Sequence, residues 1–132
     1  MKLIYAVLLL LLSSSCMFIG EELQHPYPQI ASILKKKFNA YEDKFGYIKP
    51  NIEEEPGYLY IYQQKCIDFY HADTIQIKLK EISPKTSKIQ ILLQSSNKRW
   101  NFKLKEKAKS NEFLNALKIR LKTGKWPKTP WD

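Results

Sequence analysis

The stretch that decides the fold is Gly57-Tyr58-Leu59-Tyr60-Ile61-Tyr62, a dense run of aromatic and β-branched residues. Such residues favour the pleated, half-buried surface of a β-strand. Downstream, apolar and polar residues alternate at a period of two, which is typical of strands with one buried and one wet face. Turn-length polar segments, beginning with Gln63-Gln64-Lys65, separate these runs. The pattern predicts a five-stranded antiparallel meander, with strands at residues 58–62, 66–70, 75–80, 88–94 and 99–105.

Helices are predicted on both sides of this meander. Apolar residues recur at threes and fours from residue 29 to residue 45, which favours an amphipathic helix; they are Ile30, Ile33, Leu34, Phe38, Tyr41 and Phe45. A closing helix is predicted after Ser110 or Asn111, either of which suits an N-cap, and Gly124 lies where it ends. The predicted fold class is α+β: an antiparallel bent sheet or small barrel of five to seven strands, closed by a C-terminal helix, with an additional N-terminal helix.

Composition places the chain among small globular proteins with a basic surface. A length of 132 residues fits one domain, and 44% hydrophobic with 13% aromatic residues is too apolar for disorder. The net charge is +9, and the cations are 20 Lys and two Arg. Sixteen of these 22 cations lie in residues 56–132 against six acids, so this half of the chain carries the positive excess. Two Cys and two His provide neither a metal cluster nor a disulfide framework.

The first residues resemble a secretory signal. Lys2 precedes an apolar run at residues 3–12, and Ser13-Ser14-Ser15-Cys16 follows. This segment is similar to a relaxed lipobox of bacterial lipoproteins, which implies cleavage before Cys16 and lipidation of its sulfur; ordinary cleavage nearby or a short uncleaved anchor are the alternatives. We therefore predict an extracytoplasmic protein, secreted or anchored to a bacterial envelope membrane by its N-terminal lipid. The predicted divisions are a signal at 1–15, a tether at 16–28, one domain at 29–124 and a Trp/Pro tail at 125–132.

The sequence offers no convincing catalytic or metal-binding constellation. Cys66 lies in a strand-like stretch and is predicted to be a buried structural thiol. His71 and Asp73 form a His-x-Asp pair that is better explained as a solvated turn. The adjacent Glu53, Glu54 and Glu55 lack the spacing of calcium ligands. We expect no enzyme activity, no metal and no cofactor.

Three motifs together resemble the GRAM branch of the pleckstrin-homology-like superfamily: Gly57-Tyr58-Leu59-Tyr60-Ile61, Asp68-Phe69-Tyr70 and Ile77-Lys78-Leu79-Lys80-Glu81-Ile82. The similarity covers about residues 55–122. It implies a small bent sheet capped by one helix, acting as a non-catalytic binding module for lipid headgroups, peptides or protein surfaces. The family's phosphoinositide site is not carried over, because the loop predicted at residues 63–65 has a single charge.

A basic sheet face is the main candidate site. Seven cations alternate with core positions on the predicted strands and are expected to bind an anionic surface; they are Lys78, Lys80, Lys88, Lys98, Arg99, Lys103 and Lys105. A Lys-rich face that only keeps the domain soluble is the alternative. Nucleic acid fits worse, since no aromatic residues are interleaved with these charges and Arg is scarce. In the tail, Trp126 and Trp131 suit contact with a membrane or partner, although Trp126 is expected to fold back on the core.

Two functions follow as expectations. The first is a lipid-anchored binding protein whose basic face contacts an anionic envelope surface or a protein partner. The second is a structural or assembly component of an envelope complex, in which an exposed strand edge and the aromatic tail contact protein.

Overall fold

The computed structural model describes residues 18–96 and 102–132, with the backbone alone for residues 102–104. Within these ranges the chain forms five strands and two helices. In chain order they are β1 (Ile19–Leu23), α1 (Tyr27–Tyr41), β2 (Asn51–Glu55), β3 (Tyr58–Cys66), β4 (Ala72–Ser83), β5 (Thr86–Ser95) and α2 (Phe102–Thr123). Neither helix in these ranges is long and apolar enough to cross a membrane.

The described strands form one antiparallel sheet in the order β1-β5-β4-β3-β2. β3, β4 and β5 are consecutive hairpin strands, and β1 adds to the far side of β5 with Ile19 opposite Ile91. β2 pairs with β3 at the other side. The α+β prediction, with an antiparallel sheet, a C-terminal helix and one other helix, is confirmed at this level.

Both helices pack on the same face of the sheet, which we call the inner face. Its central side chains are 0–2% exposed: Leu59, Ile61, Ile75, Ile77, Leu79, Ile89, Ile91 and Leu93. Ile30, Leu34 and Phe38 of α1 and Phe113 and Leu117 of α2 are fully buried in the same cluster, with 5.9 Å between the rings of Phe38 and Phe113. Each fully buried side chain of this size contributes about 1.5–3 kcal/mol. The opposite, outer face has no described helix across it.

The predicted return strand at residues 66–70 is wrong. β3 continues through the expected turn at 63–65 as far as Cys66, and residues 67–71 form the turn instead. The Asp68 carboxylate accepts the N–H groups of Tyr70 and His71, at 2.7 and 2.8 Å. An Asp that satisfies nearby main-chain donors favours a turn over a strand. The second GRAM-like motif therefore falls in this turn.

The predicted strand at residues 99–105 is also wrong in its described part, because α2 begins at Phe102. Residues 103–109 are Lys, Leu, Glu and Ala, all strong helix formers. Ser110 is not an N-cap but a buried residue within α2. Its hydroxyl accepts the N–H of Leu93 at 3.0 Å and donates to the Glu106 carbonyl at 2.8 Å, which joins α2 to β5.

Two segments predicted to be irregular are edge strands. Residues 19–23, assigned to the tether, form β1, and residues 51–55, assigned to a loop, form β2. Both are five residues long and rich in Glu, so neither shows an apolar alternation. Charged, short edge strands resist pairing with other chains. The first helix is also shifted, to Tyr27–Tyr41 rather than residues 29–45, with Pro26 at its N-cap.

Candidate functional site

The outer face carries two parallel rows of side chains at its centre. The register places Tyr58, Tyr60 and Tyr62 of β3 directly opposite Lys80, Lys78 and Gln76 of β4. Lys80 is in turn opposite Lys88 of β5, and Lys78 is opposite Gln90. Side chains two residues apart on a strand lie about 7 Å apart on one face. These rows form because outer-face residues alternate with buried inner-face residues along β3 and β4.

The tyrosine row is half-buried and held in place by its neighbours. The Tyr60 hydroxyl donates to Gln76 Oε1 at 3.2 Å. Burial, with a further contribution from the Glu53 carboxylate, raises the pKa of Tyr60. This phenol is therefore a neutral hydrogen-bonding group at any physiological pH, beside a flat aromatic surface.

Lys78, Lys80 and Lys88 form the cationic centre of the outer face. The Lys78 ammonium lies 4.6 Å from the centroid of the Phe18 ring, a cation–π contact. Lys80 and Lys88 are exposed and directly opposite each other. Opposed like charges on a sheet are destabilising, and a bound anion removes that repulsion. We call these three residues the lysine centre.

Carboxylates flank the lysine centre at both edges of the sheet. Glu53 and Glu55 on β2 lie opposite Tyr60 and Tyr58, and Glu22 on β1 lies opposite Lys88. The basic face predicted from the sequence is therefore bordered by acidic residues on both sides. The arrangement is three lysines beside three tyrosines, with an acidic margin on each side. The expectation that no aromatic residues accompany these charges is therefore wrong.

The other predicted anion-binding residues are not part of this face in the described chain. Lys105 is exposed on α2, because the segment that carries it is a helix and not the fifth strand of a meander. Lys98 and Arg99 lie outside the described residues, as does the side chain of Lys103. Leu92, by contrast, occupies an outer-face position and is 4% exposed.

Trp131 is a core residue and not a contact point for a partner or membrane. It is 1% exposed, and its indole N–H donates to Gln63 Oε1 at 2.9 Å. The Tyr47 hydroxyl donates to the Trp131 carbonyl. Trp126 is half-buried and packs on Phe113 with 5.9 Å between ring centroids, as expected for a tail that folds back. The tail is thus part of the domain.

The Asp132 side chain holds the tail against α1. Its carboxylate accepts hydrogen bonds from the Tyr41 hydroxyl and from the main-chain N–H of Thr129, and lies 3.4 Å from the Lys37 ammonium. Burial alone favours the neutral acid, but these donors outweigh it and lower the pKa of Asp132. Burial, followed by the hydrogen bond to the Asp132 carboxylate, raises the pKa of Tyr41. At neutral pH the Asp132 carboxyl is therefore ionised and the Tyr41 hydroxyl is neutral.

Exposed apolar side chains gather at one end of the sheet, and the sequence did not indicate them. Phe45, predicted to be a core residue of the first helix, is fully exposed in the loop after α1. Ile67, Phe69 and Tyr70 of the β3–β4 turn are also exposed. Phe45, Ile48, Ile67 and Phe69 border a shallow groove of about 430 Å³. A predicted helix that ended before the charged residues Asp43 and Lys44 would have excluded Phe45 from its apolar face.

Cys66 borders the same groove. It is an exposed free thiol, so the prediction of a buried structural cysteine is wrong. It is the last residue of β3, where the strand leaves the core. Its main-chain N–H donates to the Gly46 carbonyl at 2.8 Å. Gly46 has a φ of +93°, and a Cβ there would meet the Cys66 carbonyl at 3.1 Å, so glycine allows this close approach.

His71 pairs with Asp68 and not with Asp73. Its Nδ1 lies 2.9 Å from an Asp68 carboxylate oxygen, and both side chains are exposed on the turn. The main-chain N–H of Tyr70, followed by the His71 ring, lowers the pKa of Asp68. Among the described residues, no group of three or more His, Cys, Asp or Glu side chains is placed to hold a metal ion. The pair organises a turn.

A comparison of the sequence with models of known protein families, and with curated proteins, found no match. The GRAM-like resemblance and the lipoprotein signal therefore rest on the motifs in the sequence. Cys16 lies outside the described residues.

Proposed function

We propose that this chain is a non-enzymatic, membrane-anchored envelope protein that binds an anionic partner on the outer face of its sheet. The observation that carries the proposal is the lysine centre beside the tyrosine row. These side chains form a polar surface without a described helix across it. Anionic groups would pair with the ammonium groups, and the tyrosines add aromatic surface and hydroxyl donors.

The shape of this surface favours an elongated ligand. Tyr58 to Tyr62 and Lys80 to Gln76 run parallel along neighbouring strands, which are about 4.8 Å apart. A chain with anionic groups at regular intervals would contact several members of both rows. The acidic margins at Glu22, Glu53 and Glu55 would confine such a ligand to the centre. A polyanion of the cell envelope has this chemistry.

Anchoring is the second part of the proposal. The apolar run at residues 3–12 and the serines before Cys16 support export and lipidation at Cys16. Mass analysis of the mature protein tests it. We expect a lipid-modified Cys16 at the N-terminus, and an unmodified N-terminus at Met17 would contradict the lipoprotein assignment.

We also propose that the domain is a relative of the pleckstrin-homology-like superfamily. The antiparallel sheet with a C-terminal helix supports this. The turn at residues 67–71 and the open order from β1 to β2 are departures from the expected strand pattern. An experimental structure that shows the sheet curling into a barrel would support the relationship, and a flat open sheet would contradict it.

The experiment for binding uses soluble poly(glycerol phosphate) and poly(glutamate) as probes. Lys78, Lys80 and Lys88 are replaced together by Gln, and the matched control replaces Lys36, Lys122 and Lys125, which are exposed on the helices and tail. We expect the first variant to lose at least tenfold in affinity and the control to change little. Binding must also weaken as salt rises. Equal losses in both variants would show that only total charge matters.

A protein partner is the second candidate, and the acidic margins favour it. Aromatic residues are enriched in protein interfaces, and the Glu residues at the margins would pair with cations of a protein partner. A stoichiometric protein recovered with the full chain, by contacts that survive high salt, would favour this function. Salt-sensitive binding of polyanions, with no protein recovered, would favour the polyanion-binding function.

A further inference from the structure

The tyrosine row presents three phenol rings at a regular spacing on the outer face. Tyr58, Tyr60 and Tyr62 alternate with buried residues of β3, so neighbouring side chains start about 7 Å apart along the strand. All three side chains are half-buried, which means that each ring packs partly on the sheet and keeps part of its surface in solvent. The row is therefore a repeated aromatic surface and not one isolated ring.

One hydrogen bond shows how the central ring lies. The Tyr60 hydroxyl donates to Gln76 Oε1 at 3.2 Å, although Gln76 is opposite Tyr62 and Tyr60 is opposite Lys78. Diagonal neighbours on adjacent strands are about 7–8 Å apart, so the Tyr60 side chain leans across to β4 to make this bond. A ring in this position lies along the sheet, with one face against it and the other face directed outward.

The Lys78 side chain is directed away from the Tyr60 ring. Its ammonium lies 4.6 Å from the centroid of Phe18, which immediately precedes β1 on the far side of β5. Lys88 is on β5 itself. The cations therefore follow the β5 side of the outer face and the rings follow the β3 side, at a separation of one to two strand spacings, or about 5–10 Å.

Hydrogen-bonding side chains border both tracks. Gln76 and Gln90 lie on the outer face of β4 and β5, and Asn51 of β2 is opposite Tyr62. Amides donate and accept hydrogen bonds, whereas the carboxylates of Glu53 and Glu55 on β2 only accept them. The surface thus suits a ligand with anionic groups on one side of a ring and hydroxyl donors on the other.

From these relationships we infer that the anionic ligand of the outer face is an acidic polysaccharide, whose sugar rings stack on the tyrosine row while its carboxylates pair with the lysine centre. The inference rests on the proposed function and names the class of its ligand. The C–H groups on one face of a sugar ring carry partial positive charge, and they pack on the electron-rich face of a phenol ring. Sugar hydroxyl groups would bond to the amides and to the carboxylates of β2.

The same observations favour a sugar chain over a strand of nucleic acid. Single-stranded nucleic acid also combines rings with anions, and its bases stack on aromatic side chains. However, the carboxylates of Glu53 and Glu55 lie directly beside the rings, where they repel phosphates and accept sugar hydroxyl groups. The described cations of the face are lysines, which lack the planar guanidinium that holds a phosphate by two parallel hydrogen bonds.

The test compares two carboxylate polymers: polygalacturonate, which has sugar rings, and poly(glutamate), which has none. The full chain in detergent micelles is titrated with each polymer at equal carboxylate concentration. Tyr60→Thr combined with Tyr62→Thr removes two rings and keeps residues that favour strands. We expect this double variant to lose about tenfold in affinity for polygalacturonate and to change little in affinity for poly(glutamate). Tyr70→Thr is the matched control, because Tyr70 is 89% exposed on the turn at residues 67–71, and neither affinity should change.

A second measurement needs no variant, and so does not depend on how the double variant folds. In the parent chain, we expect nuclear Overhauser contacts between ring protons of the tyrosine row and C–H protons of a galacturonate oligomer. Equal affinity for the two polymers, without such contacts and with both affinities weakened by the triple Lys→Gln variant of the lysine centre, would overturn this inference and leave the proposed function intact. Binding of neither polymer would overturn both. Tighter binding of oligo(dT) than of polygalacturonate would overturn the inference in favour of single-stranded nucleic acid.

Discussion

The indole N–H of Trp131 donates to the side-chain oxygen of Gln63 at 2.9 Å, 68 residues away in sequence, and both side chains are buried. The amide nitrogen of Gln63 donates onward to the Ile48 carbonyl at 2.9 Å. One buried amide thus connects the tail, β3 and the loop that carries Phe45. The stability of that loop is therefore coupled to the tail.

Replacing Gln63 by Leu should lower the free energy of unfolding by about 2–3 kcal/mol, because a buried indole N–H and a carbonyl lose their partner. Urea unfolding measures the change. Gln64→Leu is the control, since Gln64 is the next residue and lies on the outer face. A loss in Gln64→Leu as large as that in Gln63→Leu would contradict the role of the buried amide.

Asp132 should make stability depend on pH in the acid range. Its folded-state pKa lies below the ordinary value of 3.8, so its contribution is present above pH 4 and is lost as the pH falls through the folded pKa. Asp132→Asn should cost about 1–2 kcal/mol at pH 7 after solvent screening. The difference between the two proteins should shrink as the pH is lowered below 4. A difference that is constant with pH would contradict this assignment.

Two tyrosines in α1 should respond in opposite ways to loss of the hydroxyl. The Tyr41 hydroxyl bonds to Asp132 and Thr129, so Tyr41→Phe should destabilise by about 1–2 kcal/mol. The Tyr27 hydroxyl is buried and has no hydrogen-bond partner within the described chain. Tyr27→Phe should leave stability unchanged or raise it by up to about 1 kcal/mol. Thermal unfolding of the pair distinguishes them, and a destabilised Tyr27→Phe would reveal an unrecognised partner.

Ser110 should behave as a bridge between α2 and β5. Ser110→Ala leaves the buried Leu93 N–H without its acceptor, at a cost of about 1–2 kcal/mol. Amide exchange at Leu93 should accelerate. Asn111→Ala, an exposed neighbour on α2, should change stability by less than about 0.5 kcal/mol. A larger loss of stability in Asn111→Ala than in Ser110→Ala would contradict this role and would indicate an N-cap at Asn111.

Lys80 and Lys88 lie opposite each other, and their repulsion should lower the stability of the free protein while both charges favour polyanion binding. Removing one charge with Lys80→Gln should stabilise the free protein by about 0.2–1 kcal/mol at low salt, because cross-strand repulsion is relieved. The same change should weaken polyanion binding. A destabilised Lys80→Gln would show that the two ammonium groups do not repel each other in the free protein.

The strands that form the centre of the sheet were predictable, because Leu59, Ile77 and Ile89 alternate cleanly with outer-face residues. The edges were not, since β1 and β2 have two and three Glu among five residues and are stabilised by pairing with β5 and β3. The continuation of β3 past Tyr62 was not predicted, because Gln63 is a polar residue at an inner-face position. Its hydrogen-bond partner Trp131 is distant in sequence. Long-range contacts of this kind leave no local pattern.

The candidate site was predictable in part for the same reason. Lys78, Lys80 and Lys88 follow the strand period and share one face. Lys105 was misplaced because alternation at Arg99–Lys105 suggested a strand, although the residues after Phe102 favour a helix. The exposure of Phe45 was not predictable, because Phe45 continues the helical spacing although the helix ends at Tyr41.

The most direct test of the proposed function is amide chemical-shift mapping of the full chain in detergent micelles as poly(glycerol phosphate) is added. The account predicts that the largest shifts lie on the outer face, at Tyr58, Tyr60, Lys78, Lys80 and Lys88, and disappear at high salt. Shifts confined to the lysines of α2 and the tail, or shifts that persist at high salt, would contradict it.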